Sequence, residues 1–133
     1  MTIAGIVIDQ LGSRVLASVL PDTRLGGFPK ITNPLVDRID LTLGLALVGV
    51  VEEVIFRGLY FTLLGRYFST VFRVFVASAV LFGIIHWSLG LTAIVHTALI
   101  GAMFMVSMWK TGSVLTTIIA NFFVNYVAFT MVP

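Results

Sequence analysis

The stretch LTLGLALVGVVEEVIFRGLYFTLLG, residues 41–65, is apolar or small at almost every position apart from Glu52, Glu53 and Arg57. It is long enough to cross a bilayer as a helix, which takes about 20 residues. An ionisable side chain at bilayer depth costs roughly 2.5 to 3.5 kcal/mol on insertion scales, so it usually lines an internal cavity or a reaction site. This segment therefore predicts a membrane-spanning helix that contains a polar site.

The simplest alternative is that these three charges only stabilise the fold. On a helix, Glu53 and Arg57 are four residues apart, lie ~40° from each other and can form a buried ion pair. Glu52 lies ~100° from Glu53 and needs a polar partner or a water molecule of its own. An ion pair accounts for two of the three residues and leaves Glu52 as the candidate for function.

The composition of the whole chain places it in a lipid bilayer. Of its 133 residues, 59% are hydrophobic and 11% are charged, and the mean hydropathy is +1.09. These values lie far outside the range of ordinary globular domains. The formal charge of +2 is spread without a basic run, which argues against a nucleic-acid partner. The absence of cysteine excludes a thiol nucleophile and a Cys-ligated metal.

The predicted fold is an all-α membrane protein, a bundle of about four transmembrane helices with an N-terminal amphipathic helix. Residues 1–32 are predicted to form an amphipathic or interfacial segment and a loop, and residues 33–133 the transmembrane core. The amphipathic helix, about residues 2–20, can lie in the interface or pack on the bundle. Asn33 followed by Pro34 gives the first long helix an N-cap and a proline in its first turn. The core helices are expected at about 34–67, 70–87, 91–109 and 114–131.

The orientation in the membrane is predicted from basic residues between the helices. Arg66, Arg73 and Lys110 fall in loops on one face, whereas three basic residues between positions 24 and 38 precede the first long helix on the other. The positive charges on the two faces are nearly equal in number. Because the second flank also carries acidic residues, we expect the face of Arg66 and Lys110 to be cytoplasmic.

Polar residues of several predicted helices fall at one depth. Counted at ~1.5 Å per residue from the basic face, Glu52, His86 and Asn125 lie at ~20 to 22 Å, and Asn121 at ~16 Å. His96 lies at ~21 Å, in the same layer. Asparagine or a single histidine can serve only as packing between helices. Such packing residues have no reason to share a level with a carboxylate, so the sequence predicts a common polar pocket.

The chemistry of this residue set favours hydrolysis of an amide. A carboxylate beside an imidazole can take a proton from water and pass it on, as general base and acid. Two carboxamides on one helix face can donate N–H groups to the oxyanion of a tetrahedral intermediate. No serine or cysteine nucleophile is needed, and neither a metal nor another cofactor is expected.

Three short motifs follow each other on successive hydrophobic segments. They are Glu-Glu-x-x-x-Arg at residues 52–57, Phe-x-x-x-His at 82–86 and Asn-x-x-x-Asn at 121–125, with a Thr-Gly-Ser break within 109–113. In this order they resemble the intramembrane glutamic proteases of the CPBP or Abi group, relatives of the CAAX prenyl endopeptidase. The third family motif begins with histidine, which asparagine replaces here.

The resemblance implies an intramembrane endopeptidase in which Glu52 is the general base and His86 helps to activate the water. Asn121 and Asn125 would occupy the oxyanion-binding positions. A carboxamide can donate to an oxyanion but cannot carry a proton or bind zinc as imidazole does. His96 is the candidate to replace the lost imidazole. The supporting residues of the first two motifs are Glu53, Arg57 and Phe82.

The resemblance also implies a peptide or protein substrate near or within a prokaryotic cell membrane. Prenylated C-terminal peptides are the eukaryotic substrate class, and peptide processing or bacteriocin self-immunity is associated with bacterial relatives. Two other functions remain open: a catalytically degenerate peptide-binding or immunity protein, and a proton or ion carrier with Glu52 and His86 as its relay. A homodimer is a further expectation, because larger family members have additional helices around this core.

Overall fold

The structure, a computed structural model, describes residues 2–28 and 30–131, where five long helices and a short 3-10 helix at Trp87–Leu89 occur. Its regular structure is helical throughout, which confirms the predicted all-α class. Met1, Pro29, Val132 and Pro133 of the two predicted regions lie outside the described residues. The helices are α1 at Thr2–Val19, α2 at residues 34–67, α3 at Val71–Ile84, α4 at Leu91–Thr111 and α5 at Val114–Met131.

The start of α2 is fixed by the residues that the sequence indicated. The Asn33 side-chain oxygen accepts hydrogen bonds from the backbone N–H groups of Leu35 at 2.9 Å and Val36 at 3.3 Å. Pro34 occupies the first helical position, where its missing N–H leaves no bond unmade. The predicted cap is therefore confirmed.

Two segments of α2 are wound as π-helix, which the apolar pattern did not predict. They cover Asp40–Gly44 and Val54–Tyr60, and the second begins directly after Glu53. The hydroxyl of Ser78 on α3 donates to the Phe56 carbonyl in this widened segment, at 3.2 Å. A π-helical turn inside an α-helix is rare and frequently marks a functional site.

Glycines lie where neighbouring helices come close together. A Cβ atom on Gly83 of α3 would lie 2.5 Å from the Ile94 carbonyl oxygen and 2.8 Å from the Ala98 Cβ atom of α4. Where α2 crosses α5, a Cβ atom on Gly49 would lie 3.4 Å from the Ile118 carbonyl oxygen. Small residues at such crossings let helix backbones pack closely inside a membrane.

The N-terminal helix α1 packs on α4 and α5. A Cβ atom on Gly5 would lie 2.9 Å from the Met103 Cε and Val124 Cγ2 atoms, and one on Gly12 would lie 3.4 Å from His96 Cδ2. Of the two positions expected for this helix, the structure shows the one on the bundle. The polar face of α1 points partly into the protein, since Asp9, Gln10 and Ser13 are half-buried.

The outer surface of the bundle is apolar. Large hydrophobic side chains are exposed on several helices, among them Leu47, Phe72 and Leu115, as expected for a surface in contact with lipid. By length and composition, α4 is the one continuous α-helix in the described ranges that is fit to cross a bilayer. The helix α3 and the apolar part of α5 are shorter, and α2 is divided by its two π-helical segments. The number of four spanning helices remains a prediction.

Candidate active site

A cavity of about 540 Å³ lies among α1, α2, α4, α5 and the turn that follows α3. The structure brings to it the polar residues that depth counting placed in one layer. The Phe82 ring also contributes to its wall. Those polar residues are Glu52, His86, His96, Asn121 and Asn125.

Asn121 holds both glutamates of α2. Its Nδ2 atom donates to Glu52 Oε2 at 3.0 Å and to Glu53 Oε1 at 2.8 Å. Its Oδ1 atom accepts a hydrogen bond of 2.7 Å from Asn125 Nδ2. Glu52 thus has the separate polar partner that its position on the helix required. Because a carboxamide has two N–H bonds, both donors of Asn121 are committed to carboxylates.

The predicted ion pair between Glu53 and Arg57 is present and fully enclosed. Arg57 Nη1 lies 3.0 Å from Glu53 Oε1, and both side chains are 0% exposed. Arg57 Nη2 donates to the Gly101 carbonyl oxygen at 2.9 Å. The guanidinium also lies over the rings of Phe82, at 4.5 Å, and Phe104, at 5.3 Å, where cation–π attraction adds to the ion pair.

His86 lies in a turn rather than in a helix, because α3 ends at Ile84 and not at residue 87 as predicted. The imidazole Nδ1 atom is 2.9 Å from the Phe82 carbonyl oxygen. If the helix continued, this oxygen would accept from the backbone N–H of His86. The backbone N–H of His86 instead donates to the Gly83 carbonyl oxygen at 3.0 Å. The side chain has taken the place of the backbone and ends the helix.

This contact also assigns the protons of the His86 ring. A carbonyl oxygen only accepts hydrogen bonds, so Nδ1 carries the hydrogen, and in a neutral imidazole Nε2 is then an acceptor. His86 Nε2 lies 3.9 Å from Glu52 Oε1, which is too far for a direct hydrogen bond. Two acceptors therefore face each other at the edge of the cavity, and a donor with two hydrogens, such as water, fits between them.

His96 shares the cavity, but its acidic neighbour comes from α1. His96 is buried, and its Nε2 atom lies 3.5 Å from Asp9 Oδ1. Asp9 and the Phe104 ring over Arg57 were not among the site residues predicted from the sequence. Asp9 belongs to the helix predicted to be amphipathic, where a charged residue is expected on the polar face, so its contact with His96 depends on how α1 packs on the bundle.

The segment after α1 closes one side of the cavity. Gly26, Gly27 and Phe28 line it, and the Phe28 ring packs edge-on against Phe129 of α5 with centroids 4.9 Å apart. The backbone N–H of Gly26 donates to the Ser88 carbonyl oxygen at 3.2 Å. The loop thus connects the end of α3 to the last helix across the site.

The family model described as Rce1-like, type II CAAX prenyl endopeptidase Rce1-like, matches residues 35–127 of the chain. This range contains all three motifs and the polar residues that α2, α4 and α5 bring to the cavity. The chain belongs to the Rce1-like family. Rce1-like proteins are embedded in membranes, and membership supports an endopeptidase activity in general. Comparisons with curated proteins and with solved structures gave no match.

The Rce1-like match does not include α1 or the loop that follows it. Two features of the cavity come from this additional part of the chain, namely Asp9 beside His96 and the Gly26-Gly27-Phe28 segment. Within the Rce1-like range, asparagine at position 121 is bonded to the two glutamates. The site therefore combines a family core with contributions outside it.

Proposed function

We propose that this Rce1-like chain is an intramembrane endopeptidase that hydrolyses a peptide bond with a water activated by Glu52 and His86. The observation that carries the proposal is the pair of facing acceptors, Glu52 Oε1 and His86 Nε2, 3.9 Å apart. A water between them gives one hydrogen to each and turns a lone pair towards the cavity. As the water oxygen attacks the scissile carbonyl, Glu52 takes its proton as the general base.

The charges around Glu52 support its role as the base. Arg57 compensates the charge of Glu53, to which it is bonded at 3.0 Å. Glu52 receives a neutral amide donor from Asn121 and has no cation bonded to it in the described part of the chain. It is therefore the carboxylate of the site whose charge no ion pair compensates, and a base needs such an available negative charge.

Asn125 is the better placed of the two asparagines to stabilise an oxyanion. One of its N–H bonds goes to Asn121 Oδ1, and the other has no acceptor among the described residues. Asn121 gives both of its N–H bonds to carboxylates. In this proposal Asn125 donates to the oxyanion, and Asn121 positions Glu52 and orients Asn125 for that role.

The substrate of the proposed reaction is a peptide or protein segment that reaches the cavity from within or beside the membrane. We place the four helices α2 to α5 across the bilayer of a prokaryotic cell, with the apolar outer surface in contact with lipid. The cavity of about 540 Å³ has a mixed wall of apolar side chains and a few polar groups. Such mixed walls are usual for pockets that bind small molecules.

The test is cleavage of a quenched peptide library by the purified protein in detergent. Glu52→Gln keeps the size of the side chain and its bond from Asn121 but removes the base, so turnover is expected to fall by about 10² to 10⁴-fold. Asp40→Asn, an exposed change in the same helix, is the matched control and is expected to cleave as the wild type does. Retained cleavage by Glu52→Gln would end the proposal.

A second candidate function is a degenerate relative that binds a peptide or partner, as in immunity, without cleaving it. The observation that favours it is the commitment of both Asn121 donors to carboxylates, which leaves one carboxamide for the oxyanion. Asn121→His restores the residue type of the resembled motif. Cleavage that is absent in the wild type and gained in Asn121→His would show that the wild type keeps the pocket without the activity, as this second function requires.

A further inference from the structure

Two titratable residues in the wall of the cavity take no part in the water site. His96 of α4 is 8% exposed, and its Nε2 atom is enclosed and makes no hydrogen bond within the described residues. Asp9 Oδ1 of α1 lies 3.5 Å away, within ion-pair distance. A buried ring nitrogen without a hydrogen-bond partner requires an explanation, and a proton on Nε2 directed at Asp9 supplies one.

Helix α1 is shaped to hold this carboxylate against the ring. The helix passes close to the ring at Gly12, where a Cβ atom would be in ordinary van der Waals contact, 3.4 Å from His96 Cδ2. The side-chain amide of Gln10 donates to Asp9 Oδ2 at 3.1 Å. The second carboxylate oxygen is thereby occupied, and Oδ1 is the one that faces His96.

Hydrolysis of an amide needs an acid as well as a base. When the C–N bond of the tetrahedral intermediate breaks, the departing nitrogen must receive a proton. Glu52 faces the water through Oε1, and the Nδ1 hydrogen of His86 is bonded to the Phe82 carbonyl oxygen. A donor elsewhere in the same cavity lets the base and the acid be different groups.

We propose that His96 is the proton donor to the leaving amine and that Asp9 is its positioning residue. With Nε2–H directed at Asp9, the imidazolium gives its Nδ1 proton to the amine nitrogen as the C–N bond breaks. The attacking water has meanwhile given one proton to Glu52, and this proton returns to His96 through water in the cavity. One water is consumed, and one carboxylic acid and one amine are formed. This inference rests on the proposed endopeptidase function.

The position of His96 between two cavities fits a group that exchanges protons. Besides the catalytic cavity, the ring lines a second cavity of about 510 Å³, whose wall contains the charged side chains of Arg14, Asp22 and Arg24. Ionic and hydroxyl groups on that side favour water. His96 thus has the proposed reaction on one side and a polar cavity, open to proton exchange with water, on the other.

The test compares two substrates that differ only in their leaving group, a peptide amide and the 4-nitrophenyl ester of the same peptide. The leaving group of the ester departs as a stable phenolate and needs no proton. His96→Gln is expected to lower kcat for the amide by about 10²-fold, the usual contribution of a general acid. The kcat for the ester is expected to stay close to that of the wild type. Asp9→Asn is expected to show the same selective loss to a smaller extent. Ser18→Ala, an exposed change on α1, is the control.

An equal loss on both substrates in His96→Gln would show a structural role, and no loss on either would show no role, so each result overturns the inference. Glu52→Gln is expected to lose turnover of both substrates, because both need the activated water. Retention of both by Glu52→Gln would contradict the proposed function alone, and no turnover by the wild type would overturn both proposals. If His96→Gln does not fold, Asp9→Asn decides by the same amide-to-ester ratio.

Discussion

The side chain of Asn125 donates a hydrogen bond to Asn121 Oδ1 across 2.7 Å, one helical turn away on α5. This bond decides which way the Asn121 amide is turned, because its oxygen faces Asn125 and its nitrogen must then face Glu52 and Glu53. Two neutral side chains on one helix thus keep two adjacent carboxylates of another helix in place. The asparagine at position 121 is therefore an integral part of this site.

Asn121→Asp is expected to destabilise the protein strongly at neutral pH. The change removes both donors and places a third carboxylate against two others, so we expect a loss of about 3 to 5 kcal/mol, as for a broken buried ion pair. Protonation of the new carboxyl group restores one donor, so the loss should become smaller as the pH falls. Thermal unfolding in detergent at pH 8 and pH 5 measures both effects.

The control for this variant is Thr130→Asp, which adds the same charge at an exposed position near the end of the same helix. It is expected to stay within about 0.5 kcal/mol of the wild type. Equal stability of Asn121→Asp and Thr130→Asp at pH 8 would show that the amide clamp on the two glutamates contributes little to the fold.

The enclosed pair of Glu53 and Arg57 should be strongly coupled. Arg57→Met leaves Glu53 buried without its cation and is expected to cost about 3 to 5 kcal/mol. Glu53→Gln together with Arg57→Met removes both charges. The double variant should therefore lose less free energy of unfolding than the two single variants lose in sum, by about 0.5 to 3 kcal/mol. Unfolding midpoints of the four proteins of the cycle give this coupling, and strictly additive losses would rule it out.

The hydroxyl of Ser78 supports the π-helical segment next to the site. Ser78→Ala removes the donor that the Phe56 carbonyl oxygen has at 3.2 Å, and an unsatisfied buried acceptor costs about 1 to 3 kcal/mol. Ser18→Ala removes an exposed hydroxyl bonded to the Val15 carbonyl oxygen and serves as the control. If the two alanine variants unfold at the same temperature, α2 does not depend on this support.

The sequence was sufficient for features that depend on local residues and on depth. The start of α2 follows from Asn33 and Pro34, and the convergence of Glu52 and His86 agrees with the depth counted at a constant rise per residue along the predicted helices. The features it missed depend on partners in distant parts of the chain. The end of α3 depends on a side chain that replaces a backbone donor, and the Asp9 contact with His96 depends on how α1 docks.

The close contact between α3 and α4 gives a test of the packing itself. A Cβ atom on Gly83 would lie 2.5 Å from the Ile94 carbonyl oxygen, a backbone atom that cannot turn away, so Gly83→Ala must push the helices apart. We expect a loss of about 1 to 3 kcal/mol, as for other overpacked sites. Gly65→Ala is the matched control, since nothing lies within 4 Å of its Cβ position and alanine favours a helix by roughly 0.5 to 1 kcal/mol over glycine. The unfolding temperature in detergent should therefore fall for Gly83→Ala and rise for Gly65→Ala. A Gly83→Ala protein as stable as the wild type would contradict the observed helix crossing.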